Sequence, residues 1–294
     1  MSKDIIPSIF TSLIATTLQL SERNVLHTIQ LLSEGATIPF ISRYRKEMTG
    51  GLDEVQIAAI HDQFEKLTEM AKRKETILKT IAEQDKLTPE LKKRIETCWN
   101  ATELEDIYLP FKPKRRTRAE IARENGLEPL AKMIMKQNVS QLEKLAQPYV
   151  KDKVKSTDDA LAGASDIIAE WINENETARI SIRKVFSYEA IITSKLVKGK
   201  EEEGQKYRDY FDMTEKLSRC SSHRLLAMRR GESEGILRIN IAPDEEKCLE
   251  KLDRLFVKED NEAGDFVYEA TKDAYKRLLK PAIENEFAAE SKQK

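Results

Sequence analysis

The sequence predicts a mainly α fold: a multi-helical protein with a long helix hairpin and helix-turn-helix-like elements, and at most a small β element around residues 190–241. Two observations predict it. Charged residues make up 34% of the 294 residues and aromatic residues 6%, while glycine and proline number only 10 and 9. Apolar residues also recur at three- and four-residue steps along most of the chain. Both features are typical of helix-rich soluble proteins rather than β-sandwiches or barrels.

The first third of the chain contains the predicted hairpin. Helical spacing begins at residues 9–14 and 25–32. Residues 53–85 contain neither glycine nor proline, and their apolar residues form a heptad-like stripe that only Lys74 interrupts. The stripe predicts one helix of roughly 45 Å. Residues 88–90, Thr-Pro-Glu, start the next helix, so an antiparallel hairpin is expected.

The second half mixes helical and β-like patterns. Apolar residues at helical spacing predict helices at residues 158–173, 178–186, 245–256 and 270–287. The β-branched residues 190–197 predict a strand or a helix end, and residues 236–241 predict a short strand. Pro281 predicts a kink in the last helix, because proline lacks the N–H that the helix needs.

Charge and cysteine content restrict the class of protein. The net charge of −1 provides no global attraction to nucleic acid or membranes, so any phosphate binding depends on local clusters of cations. Cys98, Cys220 and Cys248 are few and far apart, which indicates neither a disulfide framework nor a zinc knuckle. This usage fits a reducing cytoplasm. We expect no signal peptide, no membrane span and a cytoplasmic location.

One basic stretch stands out, at residues 108–126, which read YLPFKPKRRTRAEIARENG. Prolines 110 and 113 stiffen its start. Five cations follow one another with no acid among them, and we expect them to contact solvent or an anionic partner, because unpaired charges are costly in a core. The five are Lys112, Lys114, Arg115, Arg116 and Arg118.

A helix corner follows directly. Thr117 and Glu120 form a capping box, Asn125 and Gly126 stop the helix, and Pro129 can open a second one. Cations leading into a helix, a glycine turn and another helix are typical of helix-turn-helix nucleic-acid modules. Helix–glycine–helix corners are also common in proteins that bind nothing, and charge runs are usually solvated surface. These residues alone leave both interpretations open.

The sequence contains none of the common catalytic motifs. The sequence has no phosphate-binding loop, no zinc-binding histidine pair and no nucleophile elbow. His27, His61 and His223 lie far apart, and the consecutive acids 201–203 point in different directions. We therefore expect no enzymatic activity, no metal site, no cofactor and no small-molecule substrate.

Five long segments carry a resemblance to a known family. They are EGATIPFISRYRKEMTGGLDEVQ (34–56), ELEDIYLPFKPKRRTRAEIARENGLEPLA (103–131), LVKGKEEEGQKYRDYF (196–211), SHRLLAMRRGESEGIL (222–237) and DAYKRLLKP (273–281). Together they resemble the N-terminal region of the bacterial Tex transcription accessory proteins, which are distantly akin to a eukaryotic elongation factor. The resemblance implies a helical region, residues 1–105, and a central region with helix-turn-helix character, residues 106–294. It also implies that the family's nuclease-like, helix-hairpin-helix and RNA-binding OB-fold domains are absent from this chain.

The resemblance and the basic stretch together give the expected function. We expect a non-enzymatic nucleic-acid-binding module in which the five cations of the stretch contact phosphates without sequence specificity. Arg43, Arg45 and Lys46 extend the patch if the fold brings them near. The alternative is a scaffold whose basic stretch pairs with internal acids, such as residues 201–203, and which positions other domains or docks on transcription machinery. RNA and DNA are both open as partners of the full-length protein.

Overall fold

The computed structural model describes residues 7–113 and 116–293. The described chain is mainly helical with one small antiparallel sheet, which confirms the predicted fold class. It divides into two compact units: unit 1 ends at Lys112 and unit 2 begins at Pro113. The boundary predicted at residue 105 stays a prediction. Within the described ranges, no helix is both long enough and apolar enough to cross a lipid bilayer.

Unit 1 is built from helices alone in its described part. They are α1 (Ser8–Leu18), α2 (Glu22–Ser33), α3 (Ile38–Tyr44), α4 (Lys46–Thr49), α5 (Glu54–Ala82), α6 (Pro89–Thr97) and α7 (Ala101–Tyr108). The N-terminal half of α5 packs against α1, α2 and α3 in one apolar cluster, and its C-terminal half packs against α6 and α7 in another.

Helix α5 is the predicted long helix, 29 residues and about 43 Å. Asp53 and Gln56 close its start as a capping box: Asp53 Oδ1 accepts from the Gln56 N–H at 2.8 Å, and Gln56 Oε1 accepts from the Asp53 N–H at 3.1 Å. The turn after α5 leads to α6, which Thr88 caps through the Leu91 N–H. The predicted hairpin is therefore present.

Unit 2 has a main core of helices around a central helix, α11, and a second apolar cluster that contains its strands. Its elements are α8 (Arg118–Glu124), α9 (Glu128–Met135), α10 (Leu142–Ala146), α11 (Thr157–Glu174), α12 (Glu176–Glu189), β1 (Ile191–Leu196), β2 (Asp212–Lys216), α13 (Ser222–Ser233), β3 (Leu237–Ala242), α14 (Glu245–Phe256), α15 (Glu262–Ala274) and α16 (Lys280–Gln293). Helices α8, α9 and α15 pack on α11, whose inward residues from Ala160 to Ile172 are fully buried.

The sheet has the order β2–β1–β3, with both pairs antiparallel. Residues 190–197, predicted as a strand or a helix end, contain β1, and the strand predicted at residues 236–241 is β3. Strand β2 was not predicted from the sequence; its residues alternate between exposed and half-buried. Ile192 and Ser194 are buried on one face of β1, while Lys195 is exposed on the other.

The predicted kink at Pro281 takes a specific form. The chain passes from α15 into α16 through a π-helical turn, Tyr275–Leu279, in which the Lys280 N–H donates to the Tyr275 carbonyl five residues earlier. Proline cannot donate to the carbonyl of residue 277, so widening the preceding turn lets the chain continue as a helix across the proline.

Candidate nucleic-acid interface

The basic stretch begins at the end of unit 1. Helix α7 runs into a 3-10 turn at Leu109–Phe111, and Gln84 Nε2 donates to the Phe111 carbonyl at 2.7 Å. Lys112 follows and is exposed. Lys114 and Arg115 lie outside the described residues. Arg116 and Arg118 belong to unit 2, so the five cations are shared between the two units.

On the unit 2 side, the chain around the cations is fixed to α11. Thr117 Oγ1 accepts from the Glu120 N–H at 3.1 Å, which confirms it as the cap of α8. The same hydroxyl donates to Glu170 Oε1 at 3.3 Å, and Arg123 Nη1 lies 2.6 Å from Glu170 Oε2. Glu170 is almost fully buried, and a buried carboxylate is stable only when paired. Glu170 therefore contacts residues at both ends of α8, and Arg118 is the first residue of that helix.

The two described cations of unit 2 differ in their surroundings. Arg116 Nη2 lies 2.8 Å from Glu124 Oε2, and both side chains are exposed, by 62% and 49%. An ion pair with that exposure is worth little, so it does not prevent Arg116 from contacting a phosphate. Arg118 is exposed close to Asp166. Burial raises the pKa of the Asp166 carboxyl, and the charges of Arg277 and Arg118 oppose that rise.

The turn after α8 has the conformation that its sequence predicts. Gly126 has φ +76°; its N–H donates to the Arg123 carbonyl at 2.9 Å, and the Leu127 N–H donates to the Ala122 carbonyl at 3.1 Å. These two bonds form a Schellman motif. Helix α9 follows, and both helices bury small or apolar residues against α11. Whether the corner acts as a helix-turn-helix reader of nucleic acid stays a prediction.

The predicted extension of the patch lies in unit 1, at the end of α3 and the start of α4. Arg43 Nη2 is 3.6 Å from Glu54 Oε1, and both groups are more than half exposed. The guanidinium of Arg45 lies over the Phe40 ring, 5.2 Å from its centroid, and Lys46 is exposed beside it. Within unit 1 the three cations therefore form one local cluster.

The structure also shows an exposed basic surface that the sequence analysis missed. On the outer face of the sheet, Lys195 of β1 lies between Asp212 of β2 and Arg238 of β3 in the strand register, and Lys216 lies farther along β2. All four side chains belong to exposed residues. These residues share a face because they occupy paired or even-numbered positions in the strand register, which can be read from the sequence only once β2 is recognised as a strand.

The acids named in the scaffold interpretation have another partner. Glu203 Oε2 lies 2.6 Å from Lys200 Nζ, three residues earlier, while Glu201 and Glu202 are exposed. In the described part of the chain, Arg116 pairs instead with Glu124. For Arg116, the partner is an acid within the fold, as the scaffold interpretation expects, but it is Glu124 rather than one of residues 201–203; the scaffold interpretation itself stays a prediction.

The histidines have ordinary local contacts. His27 Nδ1 lies 2.8 Å from the Met48 carbonyl, which connects α2 to α4. His61 lies beside Asp62 and Glu65 on the surface of α5, with its ring nitrogens 3.6 Å from their carboxylates. Such contacts are typical of helix surfaces.

Comparison with known proteins gives two family matches. Residues 8–82 match the Tex-like protein N-terminal domain, and residues 137–294 match the Tex central region-like family. The second match alone covers more than half of the chain, and the two occur in the order expected from the resemblance described above.

Individual relatives agree. Transcriptional accessory protein Tex of Neisseria gonorrhoeae is 44% identical over 225 residues, 76% of this chain and 29% of the relative. Protein YhgF of Escherichia coli is 46% identical over 237 residues, 80% and 31% of the two chains. Human S1 RNA-binding domain-containing protein 1 is 28% identical over 280 residues, 89% and 28%. The chain thus spans about a third or less of these relatives' lengths, and it belongs to the Tex family.

Proposed function

We propose that this chain is a non-enzymatic module of a transcription accessory protein that binds the phosphate backbone of nucleic acid in the cytoplasm. The contacts come from the basic stretch, with Arg43, Arg45 and Lys46 as a second set of cations. The proposed phosphate-binding residues of the stretch are Lys112, Lys114, Arg115, Arg116 and Arg118.

One observation carries the proposal. The described cations of the stretch, Lys112, Arg116 and Arg118, are all exposed. The ion pair between Arg116 and Glu124 joins two groups in contact with water, so little energy is lost when a phosphate replaces the carboxylate. Contacts to phosphates carry no direct sequence information, so we expect affinity without sequence specificity.

The names of the relatives support the same class of partner. The gonococcal relative is named a transcriptional accessory protein, and the human relative is named for an S1 RNA-binding domain. The matched regions cover only part of those proteins. RNA and DNA both stay open as partners of this chain, and contact with the transcription machinery is part of the proposal.

The test is a salt titration of binding. The triple variant Lys114→Ala, Arg115→Ala, Arg116→Ala is compared with the unaltered chain by fluorescence anisotropy on a labelled 20-base-pair duplex and on a single strand. Each phosphate contact contributes about 0.9 to the slope of log K against log salt for a duplex. We expect the slope to fall in magnitude by about 2 to 3, with weaker binding at every salt concentration.

A matched control removes three cations elsewhere in unit 2. Lys151, Lys153 and Lys155 are exposed, and changing all three to alanine alters the net charge by the same amount. We expect a much smaller change in slope from this control. Equal effects of both triple variants, or no effect of the first, would contradict a phosphate site in the basic stretch.

A scaffold remains the second candidate, because Thr117, Arg123 and Glu170 fix α8 to α11 and Arg116 pairs with Glu124. Glu124→Gln separates the two functions. If Arg116 binds phosphate, removing the competing carboxylate strengthens nucleic-acid binding. If Arg116 serves the fold, Glu124→Gln leaves binding unchanged and lowers the free energy of unfolding by about 0.5 kcal/mol.

A further inference from the structure

Two aromatic side chains are exposed side by side on α3. Phe40 and Tyr44 lie one turn apart, with ring centroids 5.4 Å apart and ring planes inclined by 43°. Their exposed fractions are 40% and 63%. Large aromatic side chains dominate the energetics of cores and interfaces, so a pair of neighbouring exposed rings is a feature that needs a partner or a function.

One cation, Arg45, contacts both members of the pair. The Arg45 guanidinium covers one part of the Phe40 ring, and Arg45 Nη1 donates to the Tyr44 carbonyl at 3.3 Å. Arg43 and Lys46 lie on either side in the sequence. The arrangement places π surfaces next to positive charge, which is the combination that single-stranded nucleic-acid sites use.

A depression of about 640 Å³ opens beside Phe40, between the end of α2 and α4. Leu31 and Met48 contribute apolar walls, while Glu34 and Arg45 contribute the charged groups. Its volume is within the usual range for small-molecule sites and is large enough for one nucleotide. All of its lining residues belong to unit 1.

The charges of the depression favour a base over a free phosphate. Glu34 repels a phosphate but can accept hydrogen bonds from the amino or imino groups of a base. Arg45 and Lys46 can pair with the phosphates that flank such a base. Phe40 and Tyr44 supply stacking surfaces, which a paired base inside a duplex cannot reach.

We propose that Phe40 and Tyr44, together with the depression beside Phe40, form a stacking site for an unpaired base of a single-stranded nucleic acid. This inference rests on the proposed function and narrows its ligand from any polyanion to a strand with exposed bases. Tyr44 provides the outer stacking surface, and Arg45 holds Phe40 in place and binds the adjacent phosphate.

The experiment uses the whole 294-residue chain and 12-nucleotide single strands that carry one 2-aminopurine, with a duplex of the same sequence for comparison. We expect quenching of 2-aminopurine fluorescence on binding. Tyr44→Ala should reduce affinity for the single strand about tenfold and abolish the quenching, with duplex affinity changed less than twofold. Tyr44→Phe keeps the ring and should retain both affinity and quenching.

The matched control is Tyr188→Ala, since Tyr188 on α12 is 77% exposed and belongs to unit 2. It should bind like the unaltered chain. The stacking site is overturned if Tyr44→Ala binds the single strand normally, or if it weakens single strand and duplex equally. In the first case the aromatic pair is a contact for another protein.

The stacking site and the phosphate site can each fail without the other, because different variants test them. Failure of the basic stretch appears as unchanged binding of the Lys114, Arg115 and Arg116 variant to both strand types. Failure of the stacking site appears only in the Tyr44 variants and in the 2-aminopurine signal. Circular dichroism of each variant checks that the fold is retained.

Discussion

Gln137 shows how one buried polar side chain can join distant parts of unit 2. It is fully buried and has φ +56°. Its Nε2 donates to the Phe256 carbonyl at 2.7 Å, and its Oε1 accepts from the N–H groups of Lys258 and Glu259 at 2.7 and 3.2 Å. The side chain of Asn261 donates to its carbonyl at 2.8 Å. Gln137 thus supplies hydrogen-bond partners to the polar groups of a loop that contains no helix or strand.

Removing this side chain should cost a large share of the stability of unit 2. In Gln137→Ala, the buried Phe256 carbonyl loses its partner, as do the N–H groups of Lys258 and Glu259, which are exposed residues. A buried unsatisfied group costs about 1–3 kcal/mol, and the two N–H groups of exposed residues can bond to water instead, so we expect a loss of about 1–3 kcal/mol in the free energy of unfolding, measured in urea.

Gln141 offers the matched control for this prediction. It is also a glutamine with positive φ, at +57°, but it is exposed. Gln141→Ala should lower the free energy of unfolding by less than about 1 kcal/mol. Equal losses in the two variants would show that the left-handed backbone, rather than the buried amide, determines the cost.

At the scale of single residues, the sequence predicts which charges are exposed but gives almost no indication of buried polar contacts. Five cations without an acid predict exposure, and the described ones, Lys112, Arg116 and Arg118, are exposed. Nothing in the sequence near Gln137 indicates its role, because its partners lie about 120 residues later. The Arg116–Glu124 pair could be read from sequence only after α8 is placed.

At the scale of elements, α5 carries a cation inside its apolar stripe. Lys74 is 5% exposed; its Nζ donates to the Glu96 carbonyl at 2.8 Å and lies 3.3 Å from the centroid of the Trp99 ring. The ammonium therefore fills the space between the two apolar clusters of unit 1. Burial lowers the pKa of Lys74, although the nearby Cys98 and Glu96 oppose that shift.

The lowered pKa has a consequence for stability against pH. Between the folded pKa of Lys74 and its unfolded value of about 10.4, the unfolded chain binds more protons, so stability from this group rises with pH. We expect the free energy of unfolding of the unaltered chain, minus that of Lys74→Met, to increase as the pH rises toward 10. Urea unfolding of both proteins from pH 7 to 10 measures this difference.

Lys72→Met provides the control, because Lys72 is exposed on the same helix. The difference in free energy of unfolding between Lys72→Met and the unaltered chain should stay nearly constant from pH 7 to 10. If the corresponding difference for Lys74→Met stays constant or falls as the pH rises, burial does not lower the pKa of Lys74.

The elements themselves were predicted to different degrees. The stripe of α5 and its hairpin with α6 follow from helical spacing over many residues. Strand β2, with the sequence DMTEK, was missed because it has a single apolar residue and lies at the edge of the sheet. The π-helical turn before Pro281 was predicted only as a kink, because the sequence shows the missing N–H but not how the backbone compensates.

At the scale of the whole molecule, the division into two units falls inside the basic stretch. Chain segments between compact units are preferred sites of proteolysis. We expect brief treatment with trypsin to cut first between Lys114 and Arg118, since trypsin does not cut between Lys112 and Pro113. Mass spectrometry of the two resulting fragments locates the cut.

Bound nucleic acid should slow that cleavage if the basic stretch contacts phosphate. The exposed lysines 151, 153 and 155 provide an internal comparison within unit 2, because their cleavage should not change with added strand. First cuts inside α5 or α11 would contradict the division into units. Equal protection at both sites would indicate general coating of the protein rather than binding at the stretch.

The two units also differ in how far apart in sequence their contacts are. The apolar clusters of unit 1 use residues up to Tyr108, whereas the main core of unit 2 joins residues from Ala119 to Ile283. During synthesis, the first unit can therefore close soon after it leaves the ribosome. The second must wait until the loop near Phe256 and helix α15 have emerged, and it keeps apolar surface uncovered until then. We therefore expect the incomplete second unit to be the stage of synthesis at which this chain is most prone to aggregate.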